Sequence, residues 1–181
     1  MNFEKTFIDG LLIINPDIFE DDRGYFYESF NKKRYNELGN VEFVQDNISK
    51  SQYGTLRGLH YQVGENSQGK LCSVLKGKVI DVAVDIRHGS PTFGKHLAVE
   101  LSDENKKQLW IPPGFAHGFS VLSDDAIFSY KCSTFYSKID ERCIIYNDPE
   151  LNIDWQITMP ILSGKDLLGI KFDEIEQDFI Y

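Results

Sequence analysis

From residue 71 onward the chain alternates short apolar runs with glycine and proline turns. Residues 71–75 form one such run and lead into Lys76-Gly77-Lys78, a turn signal. In residues 79–86 the pattern has period two: Ile80, Val82, Val84 and Ile86 fall on one face, and Asp81, Ala83 and Asp85 on the other. Residues 96–101 put Leu97, Val99 and Leu101 on one side, and residues 108–111 run into Pro112-Pro113-Gly114. Two further strands are predicted over 115–122 and 127–136, the second placing Phe128, Tyr130, Cys132, Thr134 and Tyr136 on a single face. Near the start, the turn Asp21-Asp22-Arg23-Gly24 precedes a strand over 25–30. Helical patterns are weak, and only 31–38 and 164–168 suggest short helices. Many short strands separated by Gly and Pro turns predict an all-β sandwich or barrel with a few short peripheral helices.

Length and composition narrow this picture. A chain of 181 residues, 41% hydrophobic, can bury a sizeable core, and no linker or repeat divides it, so one domain over 1–181 is expected. The net charge of −9 and the lack of a basic block argue against a nucleic-acid partner, so any anionic ligand must be held by a local cluster of cations. The first ten residues contain Glu4 and no long apolar stretch, which is unlike a signal peptide, and the apolar run 11–14 is too short to span a membrane. Three cysteines, Cys72, Cys132 and Cys143, lack C-x-x-C spacing. They read as small core residues in a reducing, cytoplasmic setting.

Candidate chemistry starts at Arg57-Gly58-Leu59-His60. Alone, His60 reads as a hydrogen-bonded histidine inside a barrel. Arg57 and Lys70 change that reading, since both are costly to bury without an anionic partner. A hairpin joining the two runs would bring all three to one mouth. In an ideal strand Arg57 and His60 point to opposite sides, so the cluster requires a bulge, for which Gly58 is suited. Tyr130 and Tyr136 are either aromatic core or a proton donor and a stacking platform. Ser163 reads as the N-cap of a short helix, with Asp166 as a partner for a base such as His60. Arg23 and Glu28 are either a surface ion pair or ligand contacts. Pro112-Pro113-Gly114-Phe115-Ala116-His117 matches P-x-G-x-x-H, the second half of the cupin signature, yet the H-x-H pair that completes a cupin metal site is missing. No bound metal is expected, and His88 and His96 read as isolated, solvated side chains.

Taken together, residues 19–30 (FEDDRGYFYESF), 45–62 (QDNIS ending in LRGLHYQ), 68–71 (QGKL), 110–119 (WIPPGFAHGF) and 130–136 (YKCSTFY) resemble the dTDP-4-dehydrorhamnose 3,5-epimerase family. So do 147–149, 153–155 and 163–169. The resemblance implies a cupin-like β-barrel homodimer that needs no cofactor and epimerises a nucleotide-linked 4-keto sugar at C3 and C5. It implies His60 as general base, Asp166 as its orienting partner, Tyr130 as proton donor and Lys70 as the cation at the enolate. Arg23, Gln45, Asp46, Asn47 and Arg57 would line the pocket with Lys70. Glu28, His117, Glu141 and Lys165 match further ligand-contacting positions, and Tyr136 would stack on the nucleotide base. The chain departs from the family pattern at 63–67, where a proline-rich loop is usual, and at Tyr146 and Gln156. A GDP-linked 4-keto-heptose substrate, C3-only epimerisation, a metal-dependent cupin and a non-catalytic sugar-binding cupin are the alternatives.

Overall fold

The computed structural model describes residues 1–181. In chain order the strands are β1 (Asn2–Lys5), β2 (Leu12–Asn15), β3 (Phe19–Asp21), β4 (Gly24–Phe26), β5 (Gln45–Gln52), β6 (Leu56–Gln62) and β7 (Lys70–Lys76). They continue with β8 (Lys78–Asp85), β9 (His96–Ser102), β10 (Gln108–Ile111), β11 (Phe115–Val121), β12 (Asp125–Cys132) and β13 (Glu141–Cys143). One antiparallel sheet has the order β1-β2-β10-β7-β12-β5 and a second β13-β6-β11-β8-β9, with β3 and β4 forming a separate hairpin. The two larger sheets face each other as a cupin-like double-sheet barrel.

The turn at Lys76-Gly77-Lys78 is present, but the strands on either side of it do not pair. Strand β7 lies in the first sheet and β8 in the second, so the chain crosses the sandwich at Gly77. Only glycine suits that crossing: φ is +79°, and a Cβ would stand 2.2 Å from the Asp125 carbonyl oxygen. The hairpin anticipated between β6 and β7 does not form either. These strands also belong to opposite sheets, and residues 63–69 bridge the gap between them. Arg57 and His60 therefore reach Lys70 across the sandwich rather than along a hairpin.

Strand β8 explains the alternation seen in the sequence. Val79 and Ala83 join the core between the sheets with Cys72, Val74, Leu109, Phe119 and Phe128. Ile80, Val82, Val84 and Ile86 pack outward under the C-terminal segment, against Leu151, Trp155 and Phe172. Both faces are thus buried, and Asp81 and Asp85 are fully enclosed. Asp85 is held by Arg87, Ser90 and Thr92. A third cluster of Ile14, Tyr35, Leu38, Leu71 and Trp110 seals the outside of the first sheet. Each large side chain enclosed this way contributes roughly 1.5–3 kcal/mol of transfer free energy.

Several predicted elements are shorter than expected. Strand β12 ends at Cys132 because Ser133 N–H bonds the Gly69 carbonyl and the Thr134 hydroxyl bonds the Asn66 and Ser67 carbonyls. Thr134 and Tyr136 therefore leave the strand face. Strand β4 stops at Phe26 rather than running on to residue 30. The helix expected over 31–38 is a turn closing in one 3-10 turn, Asn36–Leu38, and 164–168 contains only Asp166–Leu168. Neither segment has a sustained apolar face to bury, and an isolated helix of that length is not stable in water. His88 and His96 are half-buried, not solvated, and His88 stacks on Phe93 at 4.6 Å.

Candidate active site

A cavity of about 320 Å3 opens between the sheets. Arg57, His60, Lys70, His117, Tyr130, Tyr136, Glu141, Lys165 and Asp166 line it. The first sheet supplies Lys70 on β7 and Tyr130 on β12, while the second supplies Arg57 and His60 on β6 and His117 on β11.

The bulge that the sequence demanded is present. Phe119 pairs with Arg57 and His117 with His60, so three steps along β6 match two along β11. The extra residue restores Arg57 and His60 to one side. Gly58 and Gly118 make it possible. Gly58 has φ +135°, and a Cβ there would lie 2.5 Å from Gly118 Cα. Gly58→Ala is expected to push the two strands apart and displace His60, with about a 10²-fold loss of kcat/KM and a lower Tm. Steady-state kinetics and thermal melting check this, and wild-type values for both would refute the packing argument.

His60 Nε2 lies 2.8 Å from Asp166 Oδ1. The contact is close but bent, so Nε2 has no well-aligned hydrogen bond. The remaining ring nitrogen, Nδ1, is the one left to meet a ligand. Asp166 is nearly fully buried and accepts bonds from Gly58 N–H (3.2 Å), Ser163 N–H (3.0 Å) and the Ser163 hydroxyl (2.6 Å). Burial pushes its carboxyl up, but the close contact with His60 and the bonds from Ser163 and Gly58 outweigh this and hold it far below the usual carboxylate range. For His60, burial lowers the imidazole pKa. Asp166 opposes the shift, Lys165 and Lys70 add to it, and the net value lies below that of an ordinary histidine. His60 is therefore neutral near pH 7, as a base must be.

On the facing sheet, burial pushes the Tyr130 phenol up to about 12, with Cys132 and Cys72 adding to the shift. Tyr130 thus keeps its proton throughout the neutral range. Burial also pulls the Lys70 ammonium below its ordinary value, against the pull of Cys72, Cys132 and Asp81. No carboxylate forms an ion pair with Lys70. Arg57 likewise has no acidic partner, and its Nε–H bonds only the Ser51 hydroxyl at 3.2 Å. Two cations without counter-ions thus face one cavity.

At the rim, the Tyr136 hydroxyl donates to Glu141 Oε2 at 3.1 Å, and Lys165 reaches the other oxygen of the same carboxylate. Gln45 lies just outside, accepting the Tyr136 N–H at 3.0 Å and donating to Asn47. Asp46 faces solvent, where it pairs with Lys131. Of the two readings of Arg23 and Glu28, the ion pair between them does not form. Arg23 binds Asp21 on the exposed β3–β4 hairpin, and Glu28 binds Arg34 and Asn31, both away from the cavity. The segment 63–67, where the chain departs from the family pattern, is tied to the rim: the Gln62 amide and the Thr134 hydroxyl both donate to the Asn66 carbonyl, and the Asn66 amide donates to Asp140.

Two residues in or behind the cavity wall escaped sequence reasoning. Asp81 is fully buried and 2.6 Å from His117 Nε2, with Oδ2 unpaired. An acid between the apolar neighbours Ile80 and Val82 is the signal that marks it. Ser49 presents a buried hydroxyl that bonds nothing in the protein, and no local pattern distinguishes it. Two clusters carry atoms that ligate metals: Cys72, Asp81 and His117, and His60, Cys143 and Asp166.

A family model described as dTDP-4-dehydrorhamnose 3,5-epimerase matches residues 5–174. The Shigella flexneri dTDP-4-dehydrorhamnose 3,5-epimerase is 58% identical, over 95% of this chain and 96% of its own. The crystal structure of the Legionella pneumophila Philadelphia 1 enzyme RmlC, in complex with dTDP-4-keto-L-rhamnose, superposes with TM-score 0.95 and 55% identity, covering 99% of this chain and 98% of that one. A more distant structure, of the 3'-monoepimerase ChmJ from Streptomyces bikiniensis with dTDP-quinovose, has TM-score 0.87 and 32% identity over 93% of this chain and 86% of its own. With a match of this extent to the family model and relatives more than half identical along nearly their whole length, the chain belongs to the dTDP-4-dehydrorhamnose 3,5-epimerase family.

Proposed function

We propose that this protein epimerises a dTDP-linked 4-keto-6-deoxy sugar at C3 and C5. The observation that carries the reading is the opposition across one cavity: a neutral His60 held by Asp166 on one sheet, and a protonated Tyr130 beside an unpaired Lys70 on the other. Both carbons are α to the C4 carbonyl. His60 removes a proton from one face, and the charge moves onto the carbonyl oxygen. Lys70 holds that enolate oxygen. Tyr130 returns a proton from the opposite face and inverts the centre. The sequence of proton transfers is redox-neutral. Asp166 stays ionised and stabilises the imidazolium that forms on His60. Arg57 is suited to the diphosphate and Tyr136, at the rim, to the nucleotide base. The dTDP sugar held by the Legionella relative supports the substrate class.

The same reading includes a homodimer. The β3–β4 hairpin exposes Phe19, Tyr25 and Phe26, and Arg23 and Glu28 lie away from the chain's own cavity. In a pair of chains the hairpin would bury its apolar side chains and place Arg23 and Glu28 in the other copy's site.

Incubation with the dTDP-4-keto sugar in deuterated water tests the function. Two deuterons per product indicate C3/C5 epimerisation. One indicates the second reading, a C3-only enzyme, the activity named for the more distant relative ChmJ. None would sink both. Tyr130→Phe sharpens the test: inversion should fall about 10²–10⁴-fold while His60 still exchanges protons with retention. NMR of the recovered sugar separates the two outcomes. Equal loss of exchange and inversion would remove Tyr130 from the role of acid.

A further inference from the structure

Strand β13 lies beside β6, with Cys143 directly paired to His60. The turn that begins at Ser163 brings Asp166 to the same place. Ligand atoms of His60, Cys143 and Asp166 all lie within 4.8 Å of one another. The trio combines one imidazole nitrogen, one sulfur and one carboxylate oxygen, the donor set that Zn2+ prefers over Mg2+ or Ca2+. We propose that His60, Cys143 and Asp166 form an inhibitory site for Zn2+, which shuts the enzyme reversibly by occupying its base. The proposal rests on the reading of His60 as that base.

Three observations point to this trio. Asp166 alone is nearly fully buried, whereas His60 and Cys143 are half-buried, and His60 and Asp166 line the cavity, so a cation can enter from there. His60 Nε2 has no well-aligned hydrogen bond to give up, so the imidazole proton can move to Nδ1 and free the Nε2 lone pair for a metal. Its 2.8 Å contact with Asp166 needs to widen by only about half an ångström to span a tetrahedral zinc. Lys165 and Lys70 both oppose a cation at His60, and the Lys165 ammonium is turned to Glu141, which neutralises much of its field. The second cluster, Cys72, Asp81 and His117, is buried at all three residues, so a cation reaches it less readily.

On binding, the Cys143 thiol loses its proton to solvent and the sulfur joins the metal as thiolate, the His60 proton moves from Nε2 to Nδ1 so that Nε2 ligates, and Asp166 ligates as the carboxylate it already is. Water completes the tetrahedron. Nothing is oxidised or reduced. Proton abstraction stops because the imidazole can no longer accept a proton.

The test titrates ZnCl2 against the epimerase activity of wild type and Cys143→Ser. Cys143 takes no part in the reaction, so the variant should match wild type without metal. Wild type should be inhibited and recover with EDTA. Loss of a direct ligand should raise the inhibitory zinc concentration by at least about ten-fold, since losing even a supporting partner costs that much. Equal zinc sensitivity in the two proteins would overturn the proposal. A second readout is independent of catalysis: Co2+ added to wild type should give a thiolate-to-cobalt charge-transfer band that Cys143→Ser lacks. An absent band would overturn the site even in an active enzyme, and a band in a protein that shows no epimerase activity would fault the functional reading alone.

Discussion

His60→Asn is expected to reduce epimerisation by about 10²–10⁴-fold, with deuterium uptake at the sugar carbons falling in parallel. Asparagine retains an amide donor toward Asp166, which is buried and keeps its bonds from Ser163 and Gly58. The fold should therefore persist, as thermal melting would show. Binding of the nucleotide sugar, measured by calorimetry, should change little, because Arg57 and Tyr136 remain. The effect then falls on kcat rather than on affinity. Near-normal deuterium exchange in the variant would remove His60 from the role of base. In wild type the acid limb of kcat/KM should lie below the ordinary histidine range, because burial favours the neutral imidazole and only the neutral form accepts a proton. Activity should accordingly hold to pH values below about 6.5 and then decline.

Lys70→Met is expected to cost about 10²–10³-fold in kcat, the usual loss when one preorganised donor to an oxyanion is removed. The alkaline limb provides a second, sharper signature. Tyr130 is held up to about 12, whereas Lys70 is pulled below an ordinary lysine by burial. As pH rises, the ammonium is lost before the phenol, so Lys70 sets the upper limit of activity. Lys70→Arg should lower kcat through imperfect geometry yet move that limb upward, because a guanidinium stays charged. A pH–rate profile with the same alkaline limb in wild type and Lys70→Arg would show that another group controls it.

Much of the site was legible along the chain because its members sit in short local patterns. Arg57 and His60 flank Gly58, and the parity conflict between them called for a bulge that the structure contains. Lys70 opens β7, and Asp166 follows Ser163 by three residues and accepts a bond from its hydroxyl, although the short helix is capped at Lys165 and not at Ser163 as expected. Errors arose where long-range bonds overrode local preference. Strand β12 ends at Cys132 because Gly69, Asn66 and Ser67 capture the backbone and side chain beyond it. The hairpin anticipated between β6 and β7 failed because the strand neighbours of β6 are β11 and β13, which lie far along the chain. Asp81 reads locally as the polar side of an alternating strand, yet the fold encloses both sides and pairs it with His117.

By itself the sequence determined the all-β class, through period-two runs and Gly/Pro turns, and the residue types of a proton-transfer site. Those are properties of neighbours in the chain, set by backbone geometry and side-chain chemistry. Only the tertiary structure decided which sheet each strand joins, and hence that His60 and Tyr130 lie on opposite walls. It also decided that burial keeps the base neutral and the acid protonated. Desolvation and charge pairing depend on what surrounds a group in space, and distant segments supply those surroundings.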